Sequence, residues 1–122
     1  MSDLSNSLPD QLPGIQIAFG LKQCLGDPDL LLSLLDKFWE DYSKVIALFR
    51  GAEPSTRKRE LLHDIRGAAI NLGLSTLGDL CLELREQLKQ SGELTDELVQ
   101  RFQLELEIIG SSIKTLDSLH QS

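Results

Sequence analysis

Aromatic side chains are scarce, at 5% of 122 residues, and basic residues number 12 against 19 acidic ones. A chain of net charge −7 with so few rings lacks the basic surface that meets nucleic-acid phosphates, so nucleic acid is not an expected partner. No apolar run approaches the ~20 residues needed to span a bilayer. The first residues also lack the basic-then-apolar pattern of a signal peptide. The expectation is a cytoplasmic domain that makes no membrane contact. Only two cysteines occur, Cys24 and Cys81, and both fall inside apolar helical patterns. They are expected to be reduced core residues and not a disulfide pair. There is no Gly-rich nucleotide loop of the GxxxxGK[ST] kind. Asp and Glu do not cluster at metal-ligand spacing, so neither a metal nor another cofactor is expected in this chain. No segment alternates apolar and polar for long enough to be a strand.

What is present is helical periodicity in a chain long enough for one domain with a real core. Residues 1–14, MSDLSNSLPDQLPG, are polar, hold two prolines and show no period, which predicts a flexible leader or linker before a domain over 15–122. A short helix is predicted from Ile15 to Leu25, with Ile15, Ala18, Leu21 and Leu25 on one side. Asp27 and Pro28 suit the cap and first position of a second helix reaching Arg50. Its stripe is Leu31, Leu35, Phe38, Tyr42, Val45 and Phe49.

A third helix is predicted from Pro54 to a C-terminal cap at Gly73. A fourth is capped by Ser75 and stopped by Ser91-Gly92, with Leu77, Leu80, Cys81, Leu84 and Leu88 inward. A fifth is capped by Thr95, with Asp96 and Glu97 at its positive end. On it Val99, Phe102, Leu106, Ile109, Ile113 and Leu116 repeat at alternating three and four. Four long amphipathic helices on short connections predict an all-α fold, an antiparallel four-helix bundle with an additional short N-terminal helix.

The third helix carries an anomaly in LLHDIRGAAINLG, residues 61–73. At about 100° per residue, Leu61, Ile65, Ala68 and Leu72 share the core arc and His63 lies roughly opposite, toward solvent. Thr56, Arg59, Glu60, Arg66, Gly67 and Ile70 share that outer face. A glycine inside a helix costs about 1 kcal/mol relative to alanine. An open approach to one flank of the imidazole is the simplest compensation. Imidazole is nucleophilic at neutral pH without a base to deprotonate it, because its ordinary pKa is ~6.5, and it forms covalent intermediates. Arg66, three residues on, can reach the oxygens of a phosphoryl group on His63.

The string HDIRGAAINLG resembles the signature of the histidine phosphotransfer domains of bacterial phosphorelays. That signature has a histidine, a basic residue three later, a glycine four later and an Asn-apolar-Gly ending; His63, Arg66, Gly67 and Asn71-Leu72-Gly73 match it. Residues 12–42 and the downstream LGDLCLELREQLKQSG also look like parts of that family. Two departures are Arg66, where lysine is commoner, and Ile70, where many members carry a small residue. The resemblance implies a carrier that takes a phosphoryl group from one receiver-domain aspartate and passes it to another, with no kinase activity of its own. It implies His63 as the phosphorylated residue with Arg66 assisting. Arg59, Gly67 and Ile70 are expected to meet the partner. The implied partners are response-regulator receiver domains and a hybrid sensor histidine kinase, with the magnesium of the reaction in the receiver. Two other readings remain open on the residues. One is an adaptor that docks on receivers without chemistry. The other is a phosphatase using His63, for which the same face offers only Glu60 as a second group.

Overall fold

The computed structural model describes residues 8–121. Its helices are α1 (Ile17–Gln23), α2 (Pro28–Tyr42), α3 (Ile46–Arg50), α4 (Ser55–Leu72), α5 (Ser75–Ser91) and α6 (Asp96–Gln121). No strand is present among the described residues; the one extended feature is a bridge between Leu12 and Ile15. The α2–α3 unit, α4, α5 and α6 form the four-helix bundle, and α1 packs against α4 and α2.

The caps explain why the helices stop where they do. Asp27 accepts from the Leu30 amide at 3.2 Å with Pro28 in the first turn, and Thr95 Oγ1 accepts from the Leu98 amide at 3.3 Å. Gly73 and Gly92 end α4 and α5 with φ of 83° and 77°. Gly73 is required twice over, because a Cβ there would also overlap the Gln16 carbonyl oxygen. Ser75 does not cap α5. It is the first helical residue, and Leu74 holds the cap position without a side-chain bond.

The core is continuous and apolar. Every residue of the α6 stripe from Val99 to Leu116 is buried, and the Phe49 and Phe102 rings meet edge to face at 5.3 Å. Cys24 and Cys81 are free and buried. On α4 the buried arc is Leu62, Ile65, Ala69 and Leu72, with Leu61 and Ala68 half-buried. The arc is therefore centred nearly one residue from the predicted one, and His63 stays outside it.

Three further expectations are corrected. The predicted second helix breaks after Tyr42, where Val45 and Leu48 bond three residues back in place of four. Val45 and Phe49 keep to the core face through that tightened turn, so the apolar stripe hides the break. The predicted first helix is shorter at both ends. Leu25 and Gly26 take φ of 57° and 79°, which ends α1 and leaves Leu25 95% exposed, and Ala18 is exposed as well. Ile15 is buried as expected, and Ile17, Gly20 and Cys24 join it.

The third correction concerns the leader. Residues 1–7 lie outside the described residues, but residues 8–14 pack on the bundle and are not a free linker. Leu12 and Ile15 exchange backbone bonds of 3.0 and 2.9 Å, and the Ala18 amide donates to the Asp10 carbonyl at 2.9 Å. The buried Ser112 hydroxyl donates to the Pro13 carbonyl at 2.6 Å, tying this segment to α6.

Candidate functional site

The site begins with a helix that starts against its own dipole. Four free amide N–H groups give a helix N-terminus a partial positive charge, which acidic residues ordinarily offset. The first turn of α4 has none; it carries Arg57 and Lys58 instead, with Arg59 next, behind Pro54 and with no side-chain cap. Like charge there costs on the order of 0.3–1 kcal/mol. Lys58 finds the Gly51 carbonyl at 3.1 Å. Arg57 and Arg59 form no ion pair among the described residues.

His63 is exposed, two turns from that end. It lines an open groove of about 750 Å³ with Arg57, Arg59, Glu60, Asp64 and Arg85. Three guanidinium groups thus face two carboxylates around the imidazole. Arg66 and Ile70 line a smaller neighbouring hollow of about 210 Å³ with Phe19, Gly73, Gly78 and Asp79. Gly67 lies between, four residues past His63, and a Cβ built on it would meet nothing within 4 Å. The flank of His63 expected to be open is open.

Of the six arginines, Arg50 and Arg101 pair with Asp96 and Glu83, and the four around His63 pair with no carboxylate among the described residues. The Nε atoms of Arg59, Arg66 and Arg85 are each buried without a hydrogen-bond partner among the described residues. Arg66 and Arg85 also share a neighbour. Burial pushes the Cys81 thiol up to about 12, while both guanidiniums act to lower it. In a chain of net charge −7, unpaired cations gathered on one face make a local anion-attracting patch.

The structure therefore brings His63 and Arg59 into one groove, while Arg66 and Ile70 line the second hollow and Gly67 lines neither. Arg85 and Phe19 were missed by inspection of the sequence. Arg85 sits on another helix, and Phe19, 41% exposed beside Ile70 at 40%, belongs to the short helix whose boundaries were misplaced. His120, expected as a terminal surface residue, is half-buried and pairs through Nε2 with Asp29, away from the groove.

The model of the histidine phosphotransfer (Hpt) domain family matches residues 4–112. The chain belongs to the Hpt domain family. No curated relative and no solved structure matches it. With family membership comes the role of a phosphotransfer carrier in two-component signalling, and Hpt domains as a family interact with receiver domains and histidine kinases. The match starts within residues 1–14, the predicted leader, in line with the packing of residues 8–14. No helix among the described residues is long and apolar enough to cross a membrane.

Proposed function

We propose that His63 is the phosphorylated residue, and that it takes a phosphoryl group from the aspartate of one receiver domain and passes it to the aspartate of another. The observation that carries this reading is the exposed His63 in a groove of unpaired arginines, beside a glycine with nothing within 4 Å of its missing side chain.

The chemistry needs little from the protein. A ring nitrogen of His63 attacks the phosphorus of the aspartyl phosphate. The P–N bond forms as the acyl P–O bond breaks, and the aspartate leaves as a carboxylate with the electron pair. The ring sheds the proton of its other nitrogen to solvent. Onward transfer is the reverse: the other ring nitrogen takes a proton back from solvent, a receiver carboxylate attacks phosphorus, and the P–N electrons return to the ring, which leaves as neutral imidazole. The developing charge sits on the phosphoryl oxygens, where positioning and electrostatic contacts supply most of the catalysis. Arg66 supplies such a contact, three residues along the same helix face.

Arg57 and Arg59 draw an acidic receiver pocket toward the groove. Phe19 and Ile70 give the receiver an apolar shoulder, and Gly67 leaves it room. The magnesium ion of the transfer belongs to the receiver, and this chain works without a cofactor or kinase activity, in the cytoplasm, downstream of a hybrid sensor kinase. An adaptor role without chemistry would leave the nucleophile and its open flank without a use. Incubation with a panel of phosphorylated receiver domains tests the reading: label should move to the Hpt chain from at least one receiver and return to another. Binding to receivers without any transfer would favour the adaptor.

A further inference from the structure

We propose that Arg85 of α5 is a second cationic arm of this site, meeting the phosphoryl oxygens on His63 from the neighbouring helix while Arg66 meets them from α4. The proposal rests on His63 being the phosphorylated residue.

The α4–α5 hairpin sets the register. Its turn is Gly73-Leu74, and a Cβ on Gly78 would lie 3.5 Å from Ile70 Cγ1, so positions 70 and 78 are level. Each helix rises about 1.5 Å per residue. Seven residues back along α4 is His63 and seven forward along α5 is Arg85, so these two are level also. The groove agrees, since Arg85 is the one α5 residue among those that line it with His63. Packed helix axes lie about 8–10 Å apart, a gap that an arginine side chain crosses.

Arg85 is also unengaged. It is half-buried, its Nε is buried without a hydrogen-bond partner, and no carboxylate pairs with it among the described residues. Arg101, also against α5, shows the alternative, holding Glu83 through two nitrogens at 3.2 and 3.3 Å. A planar guanidinium suits two phosphoryl oxygens at once. Two such groups on separate helices can fix the phosphoryl group against rotation as well as neutralise it.

The test uses potassium phosphoramidate as donor, so that no receiver need be identified. A His63 ring nitrogen displaces ammonia from phosphorus, one P–N bond replacing another, and phosphorus NMR follows the new signal. Arg85→Met keeps an apolar stem and removes the charge; Arg85→Gln removes the charge and keeps a shorter, polar side chain. In each, the phosphorylation rate should fall about ten-fold, the factor that about 1.4 kcal/mol of lost transition-state contact gives. Its salt dependence should weaken, with wild-type helical content by circular dichroism. Arg85→Lys should recover most of the rate. Wild-type rate and salt dependence in whichever of the two uncharged variants folds normally would overturn the proposal and leave the carrier reading standing. Failure of the wild-type protein to gain a phosphorus signal on His63 would remove both.

Discussion

Gly110 of α6 lies directly beneath the indole of Trp39, so closely that a Cβ on the glycine would overlap the ring. Gly67 of α4 has nothing within 4 Å of the same position. Both are glycines inside long helices, and each gives up the same helix propensity. One does so to seat a large side chain, the other with no packing return.

The two glycines should therefore respond oppositely to alanine. Gly67→Ala should be neutral or stabilising by up to about 1 kcal/mol, the propensity difference. Gly110→Ala should be destabilising by roughly 1–3 kcal/mol, because overpacking against a rigid ring outweighs that gain. Urea denaturation of both variants measures this. A destabilised Gly67→Ala would mean that the open flank of His63 is not open in solution.

Space beside His63 should matter for partners. Gly67→Gln should fold normally but bind receivers weakly and transfer slowly, since its side chain stands on the approach path. Ile70→Glu should bind weakly for another reason, because it sets a negative charge against the receiver's acidic pocket. Added salt should restore part of the Ile70→Glu loss and little of the Gly67→Gln loss. Receiver affinity at two ionic strengths, measured beside thermal melts, separates the two effects.

Arg66 should assist without being indispensable. Arg66→Ala should slow transfer by roughly ten- to a hundred-fold, less than the 10²–10³ of a buried oxyanion donor because this site is open to water. Arg66→Lys should keep much of the rate, since a point charge still reaches the oxygens without the planar fork. Equal rates for alanine and wild type would make Arg66 surface charge alone.

Away from the site, Asp117 gives a pH signature. Partial burial raises its pKa, the hydrogen bond and charge of Asp36 raise it further, and His120 works the other way. A carboxyl group with a folded pKa above its unfolded one favours folding while protonated. That contribution is lost as pH rises through the raised value. Asp117→Asn should therefore be more stable than wild type at pH 7, with the advantage shrinking as pH falls through the raised value and gone below the ordinary aspartate value of ~3.9. Urea midpoints at pH 7 and pH 3.5 would show this; an advantage independent of pH would contradict it.

Much of this was legible in the sequence because helical period and capping chemistry are local. The α6 stripe, Asp27 with Pro28, Thr95, Gly73 and Gly92 all act where they were expected. The outward placement of His63 survived a one-residue error in the α4 arc because an exposed face is broad. What escaped depends on partners distant in the chain. Residues 8–14 are held by backbone bonds and by Ser112, 99 positions from Pro13, and no local period announces that. Leu25 fits the apolar stripe of the predicted helix, but its left-handed backbone sends it to solvent. Arg85 joins His63 only through the hairpin register, which counting outward from the Gly73 turn would have shown.

The most direct test of the account is the site of the phosphate. His63→Gln and wild type would each be incubated with a phosphorylated receiver that labels the wild-type chain, and acid-labile phosphate would be mapped by mass spectrometry. The substitution is on an exposed position, so stability should change by less than about 0.5 kcal/mol and helical content should match. The account predicts phosphate on His63 of the wild type and none anywhere on the variant. Acid-labile phosphate persisting on a folded His63→Gln chain, on His120 for example, would contradict it.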